Sequence, residues 1–88
     1  MLSIAIIDDE PHARDALRAM LTELCPDVRI LGEANGVTSG IRLIEDMRPD
    51  AIFLDIKMND GTGFDLLKHF PNPAFNIIFT TAYDEYAL

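Results

Sequence analysis

The chain alternates between short, continuous apolar runs and longer segments in which apolar residues recur every three or four positions. The continuous runs are rich in β-branched residues and predict strands buried on both faces of a parallel sheet. Three such runs lie at 3–7, 51–54 and 76–79, and 28–34, which also carries Arg29 and Glu33, is predicted to be a further strand. The helical spacing occupies 11–24, 37–47 and about 63–70. This β-α-β-α-β-α-β order predicts right-handed crossovers and a doubly wound α/β sheet covered by helices on both faces.

The last two helical segments carry more specific expectations. In the segment that begins near Gly63, the spacing predicts that Phe64, Leu67 and Phe70 form the inner face of the helix. After the predicted strand at 76–79, residues 84–88 are predicted to form the first turn of a further helix.

Polar residues whose side chains could bind a ligand or react follow three of the predicted strands. Asp8 and Asp9 come directly after the first strand, Asp55 after the third, and Thr81 shortly after the fourth. Each has an ordinary interpretation, as a helix-terminal acid, a turn residue or a capping hydroxyl. Because the carboxyl ends of parallel strands meet at one edge of the sheet, where ligands bind in such folds, we expect them to converge. Their joint occurrence favours a functional site.

Three converging carboxylates predict a particular chemistry. An oxygen-rich cluster suits a hard cation, most plausibly Mg²⁺, which would offset the mutual repulsion of the carboxylates. A carboxylate held beside Mg²⁺, with a hydroxyl close by, is a plausible phosphoryl acceptor because Asp can form an acyl phosphate.

Size and charge exclude several other classes of protein. With 88 residues the chain predicts a single domain, 1–88, and its net charge of −8 argues against a surface that binds DNA or RNA. The start of the chain has no basic segment, no long apolar helix and no cleavage-site pattern, so we expect a cytoplasmic protein that does not contact membranes. The first strand is not followed by a glycine-rich loop for nucleotides or by the D-x-D-x-T pattern of aspartate-nucleophile phosphatases.

The motifs at the predicted strand ends match a known family. They are Ile-Ile-Asp-Asp-Glu at 6–10, Pro-Asp-Ala-Ile-Phe-Leu-Asp-Ile-Lys-Met at 49–58, Gly63, and Phe-Thr-Thr-Ala-Tyr at 79–83. With these motifs the whole chain resembles the receiver domain of bacterial two-component response regulators. The ending Thr-Thr-Ala-Tyr-Asp-Glu-Tyr-Ala-Leu is especially similar to regulators that carry a LytTR-type DNA-binding domain.

The resemblance implies a flavodoxin-like (CheY-like) fold with strand order 2-1-3-4-5, and a signalling domain rather than an enzyme. It implies that Asp55 accepts a phosphoryl group from a sensor histidine kinase in a reaction that requires Mg²⁺. Asp9 would bind the metal directly and Asp8 largely through water, with Asp55 and the main-chain carbonyl of Lys57 as further ligands. Thr81 would contact the phosphoryl group and move on activation, and transcription would be regulated through a DNA-binding output domain elsewhere in the parent protein.

Two departures from the family pattern shape further expectations. Asn59 stands where receivers commonly have proline, which should loosen the loop after Asp55. The chain is also shorter than a receiver and is expected to lack the fifth strand, the fifth helix and the lysine that contacts the phosphoryl group. We therefore expect the fourth strand to be an open edge, so that the chain self-associates, binds a complementing segment or belongs to a longer natural chain. An unphosphorylated pseudo-receiver or fragment that acts only as an interaction module remains the alternative.

Overall fold

The computed structural model describes residues 1–80, which form three helices and six strands. The elements are β1 (Leu2–Ile7), α1 (Pro11–Leu24), β2 (Val28–Ala34), α2 (Val37–Met47), β3 (Ala51–Leu54), β4 (Lys57–Met58), β5 (Gly61–Thr62), α3 (Gly63–Lys68) and β6 (Asn76–Phe79). The predicted turn of helix at 84–88 lies outside the described residues. No helix within 1–80 has the length and apolar character needed to cross a membrane.

The four long strands form one parallel sheet in the order β2-β1-β3-β6. This confirms the order 2-1-3-4 expected for the four predicted strands. Ile7 in β1 is level with Ala34 in β2 and with Leu54 in β3, which is in turn level with Phe79 in β6. The carboxyl ends of the strands are therefore aligned, and the residues that follow them emerge along one edge.

The central strand β1 is apolar on both faces because each of its faces is covered by helices. In β1, Ile4 and Ile6 pack in a cluster with Leu21 of α1. Ala5 and Ile7 point to the opposite face, where the core includes residues of α2 and α3. The uninterrupted apolar runs of the sequence are thus explained by a three-layer α/β sandwich, as predicted.

Helix α3 differs from its predicted extent and phase. It ends at Lys68 rather than near Phe70, because His69 and Phe70 donate to carbonyls only three residues earlier and tighten the last turn. The prediction that Phe64 faces inward was wrong, since Phe64 is half exposed and its ring packs on Phe79 at 5.5 Å. The fully buried residue is Leu66.

The actual inner face of α3 begins one residue earlier than the predicted one. Gly63 and Leu66 are buried, and Leu67 and Phe70 pack against the core, which is an i, i+3, i+4, i+7 stripe. Leu66 packs closely against Gly40 of α2. A Cβ added to Gly40 would lie only 2.8 Å from the Leu66 Cδ1. The stripe begins at Gly63, which has no side chain, so the spacing of apolar residues in the sequence does not reveal it.

Candidate acidic site at the carboxyl edge of the sheet

Three carboxylates meet at the aligned ends of β1 and β3. Asp8, Asp9 and Asp55 each contribute an oxygen to a group in which all three atoms lie within 4.8 Å of one another. The fold thus brings together the three acids that the sequence singled out. Lys57 follows two residues after Asp55 with an exposed side chain, whereas Thr81 lies outside the described residues.

Asp55 is held where β3 ends. Its backbone N–H donates to the carbonyl of Ile7 at 2.9 Å and continues the β1–β3 ladder by one residue. Its carboxylate accepts backbone hydrogen bonds from Ile56 and Lys57, and the residue is only 6% exposed. The acid is therefore fixed by backbone groups on both sides and oriented toward Asp8 and Asp9.

Gly63 is required for the close return of the chain over Asp55. A Cβ at this position would lie 2.6 Å from the Asp55 carbonyl oxygen and 3.0 Å from the Leu54 Cγ. The Gly63 N–H donates to the Ile56 carbonyl at 2.8 Å and locks this approach. A side chain at position 63 would therefore clash with the backbone at Asp55.

The electrostatics of the cluster disfavour three negative charges. Burial, followed by the charge of Asp8, raises the pKa of Asp55 from 3.8 to about 6. Burial also raises the pKa of Asp8, and the hydrogen bond from the Glu10 N–H opposes this shift. A cation among these oxygens would relieve the repulsion, and an all-carboxylate donor set is of the kind that Mg²⁺ accepts. The three carboxylates could therefore hold a metal cation.

Asp8 is tied down on every side. Its N–H donates to the Ala34 carbonyl at 3.0 Å, and its Oδ1 accepts from the Glu10 N–H at 2.9 Å. Its carbonyl oxygen accepts a hydrogen bond of 2.6 Å from the Arg14 Nη1. Arg14 was not predicted from the sequence, although a cation about one helical turn into α1 after an acidic pair was an available signal.

Two structural features that were not predicted from the sequence order the loop after Asp55. Residues 57–62 form the antiparallel hairpin β4–β5. At its tip, the Asp60 carboxylate accepts from the backbone N–H groups of Val37 at 2.7 Å and Thr38 at 3.1 Å. Because the N-cap residue Gly36 has no side chain to cap α2, Asp60 caps that helix from the loop, and this anchors the loop despite Asn59.

Comparison with known families and proteins agrees with this geometry. A family profile described as the response regulator receiver domain matches residues 4–88. The Sensory transduction protein LytT of Bacillus cereus is 44% identical over 91 residues, covering 100% of this chain and 36% of that protein. The Transcriptional regulatory protein BtsR of Escherichia coli K12 is 40% identical over 89 residues, covering 100% of this chain and 37% of that protein. The chain thus spans about a third of the length of these relatives.

Solved structures show the same fold. The response regulator domain of Thermotoga maritima CheB superposes with a TM-score of 0.87 at 22% identity, covering 99% of this chain and 65% of that chain. The N-terminal domain of an uncharacterised protein from Wolinella succinogenes superposes with a TM-score of 0.78 at 27% identity, covering 94% of this chain and 66% of that chain.

Proposed function

Because the chain belongs to the response regulator receiver family, with residues 4–88 matching, we propose that it accepts a phosphoryl group on Asp55 in a reaction that requires Mg²⁺. Receiver domains are signalling domains that work with sensor histidine kinases, so the donor is a phosphohistidine of such a kinase. The observation that carries the proposal is the buried Asp55 carboxylate, set within 4.8 Å of the oxygens of Asp8 and Asp9 at the end of β3.

The chemistry assigns a separate role to each group. A carboxylate oxygen of Asp55 attacks phosphorus, the bond between phosphorus and the donor breaks, and the donor leaves with that electron pair. With a pKa of about 6, Asp55 is largely ionised at neutral pH and able to act as a nucleophile. Asp8, Asp9, Asp55 and the Lys57 carbonyl would hold Mg²⁺, which supplies neutralisation of the phosphoryl oxygens. The contact from Thr81 remains a prediction.

The parent protein is proposed to regulate transcription. Among its relatives BtsR is named a transcriptional regulatory protein and LytT a sensory transduction protein. We propose that a LytTR-type DNA-binding domain in the same parent protein provides the output. The acidic receiver, with a net charge of −8, would leave contact with DNA to that domain.

Incubation with acetyl phosphate tests the acceptor chemistry. Intact mass is expected to show one phosphoryl adduct with Mg²⁺ and none when the metal is chelated. Borohydride reduction of the acyl phosphate followed by peptide sequencing is expected to find homoserine at position 55. Hydroxylamine should remove the adduct, because it cleaves acyl phosphates but not phosphate esters. A modified residue other than Asp55, or an adduct equally strong without Mg²⁺, would refute the proposal.

The open edge of the sheet supports a second role, as an interaction module that pairs with another copy or a complementing segment. Within residues 1–80, β6 is a terminal strand of the sheet, and its Ile78 and Phe79 side chains are exposed. An apolar, unpaired edge recruits further strands. We propose a second copy as the partner of this edge.

Sedimentation equilibrium tests this pairing. Ile78→Lys is expected to weaken association at least tenfold, because it places a charge on the exposed apolar strand. Leu24→Lys is the matched control, since Leu24 is exposed on α1, far along the sequence from β6. We propose a dimer with a Kd below about 100 μM, which corresponds to about 5.5 kcal/mol, and a wild-type chain that stays monomeric at that concentration would exclude it.

A further inference from the structure

We propose that Arg14 is a positioning residue, which acts through the backbone of Asp8 to hold the acidic loop in the geometry that binds the cation, and that Glu33 holds Arg14 in place. The inference rests on the proposed function, since it concerns the same site. It assigns a role to a side chain that is not itself among the oxygen ligands.

One guanidinium makes both contacts. The Arg14 Nη1 donates to the Asp8 carbonyl oxygen at 2.6 Å, while its Nε lies 3.4 Å from the Glu33 Oε1. The Arg14 side chain is 18% exposed, compared with 46% for Arg18, which pairs with the other oxygen of Glu33. A planar fork of donors can bridge a carboxylate and a carbonyl at once, whereas a single ammonium group cannot match that geometry.

The bonded carbonyl matters because of where it lies in the chain. The Asp8 carbonyl and the Asp9 N–H belong to one planar peptide unit, so fixing the carbonyl also fixes the direction in which Asp9 leaves the strand. The preceding peptide is already held, since the Asp8 N–H donates to Ala34. Arg14 supplies the hydrogen bond on the loop side, between the ladder and the carboxylate of Asp9.

Charge alone would give Arg14 the opposite effect. Its positive charge would repel a bound cation. If Arg14 acted only through its charge, removing it would therefore strengthen Mg²⁺ binding. If it acts by holding the Asp8–Asp9 peptide, removing it weakens Mg²⁺ binding. The sign of the change separates the two roles.

The experiment measures Mg²⁺ affinity by titration calorimetry on the whole chain. Arg14→Ala is expected to weaken Mg²⁺ binding about tenfold, the size seen when an outer-sphere partner of a metal ligand is lost. Glu33→Gln should weaken it in the same direction by a smaller factor, because the neutral amide holds Arg14 less firmly. Arg18→Ala is the matched control, because this substitution removes a similar charge from a residue that also pairs with Glu33. The Mg²⁺ affinity of Arg18→Ala should stay within about twofold of the wild-type value.

A second readout does not depend on the metal. In the metal-free protein, the ¹⁵N resonance of the Asp9 amide should shift in Arg14→Ala and stay in place in Arg18→Ala, because that nitrogen is bonded to the carbonyl that Arg14 holds. If Arg14→Ala is unfolded by circular dichroism, Glu33→Gln decides through the same resonance, because loss of its negative charge would weaken Mg²⁺ binding in either role. A shifted Asp9 resonance with an intact fold supports the inference, and an unchanged resonance overturns it.

Two further results would overturn it, and they differ in what else they affect. Mg²⁺ binding that is unchanged or tighter in a folded Arg14→Ala protein rejects the positioning role and leaves the proposed function standing. A wild-type chain that binds no Mg²⁺ rejects the proposed function, and the inference with it.

Discussion

Replacing Asp55 by Asn will abolish the phosphoryl adduct and raise the free energy of unfolding near pH 7. The adduct disappears because the amide lacks the nucleophilic carboxylate oxygen. The stability rises because the wild-type folded state carries a buried charge next to Asp8 and Asp9, and Asn removes that charge at nearly constant volume. The Asn oxygen can still accept from the backbone N–H groups of Ile56 and Lys57.

The pH dependence follows from the direction of the shift. Asp55 has a pKa of about 6 in the folded protein against 3.8 as the ordinary value, so the folded state binds the proton more tightly than the unfolded state. The contribution of Asp55 to wild-type stability therefore falls as the pH rises from about 4 to about 6, and the loss of this contribution is complete above that range. Because solvent reaches part of the site, we expect the Asn variant to gain on the order of 1–2 kcal/mol near neutral pH, and little near pH 4.

Urea unfolding followed by circular dichroism at several pH values measures this gain. Asp50→Asn is the matched control, since hydrogen bonds from the Ser3 N–H and hydroxyl lower the pKa of Asp50. Asp50→Asn is expected to reduce the free energy of unfolding at neutral pH. An Asp55→Asn protein that is less stable than the wild type at pH 7 would contradict the assigned burial and repulsion. Mg²⁺ should stabilise the wild type more than the Asn variant, because it binds the folded site.

Truncation of Leu66 to Ala is expected to cost 2–5 kcal/mol of unfolding free energy, roughly the range for Leu→Ala at fully buried positions. Leu66 is fully buried and fills the space left by Gly40 on α2, against Ile7 of β1. A domain of this size has only about 4–13 kcal/mol of stability in total, so the variant will be close to unfolding.

Thermal and urea unfolding of Leu66→Ala and Phe64→Ala test this assignment directly. Phe64 is the larger side chain, but it is half exposed and packs mainly on the ring of Phe79. We expect Phe64→Ala to cost less than Leu66→Ala, and less than about 2 kcal/mol. The reverse order of the two costs would show that the inner face of α3 is the one first predicted from its apolar spacing.

The sequence predicts those features that depend on continuous patterns and on topology. Buried parallel strands need apolar residues on both faces, so the strand positions are readable without tertiary information. Once the β-α-β order is recognised, the convergence of Asp8 with Asp55 follows because parallel strands end at one edge of the sheet. The three-carboxylate cluster was therefore predictable before any coordinates.

The features that were missed depend on contacts between distant segments. The phase of α3 starts from Gly63, whose inward position leaves no apolar signal. Arg14 and Asp60 act on backbone groups, of Asp8 and of α2, that no side-chain pattern reveals. A charged residue on a helix or in a loop is usually a solvated surface group, so its tertiary partner has to be observed.

The start of α2 depends on the hairpin at 57–62, because Asp60 in that hairpin caps the helix. Moving the loop away from Val37 and Thr38 would leave the first turn of that helix uncapped, at a cost of about 1 kcal/mol. The two hydrogen bonds therefore favour one position of the loop over others. The position of this loop and the order of the first turn of α2 are thereby linked through one carboxylate.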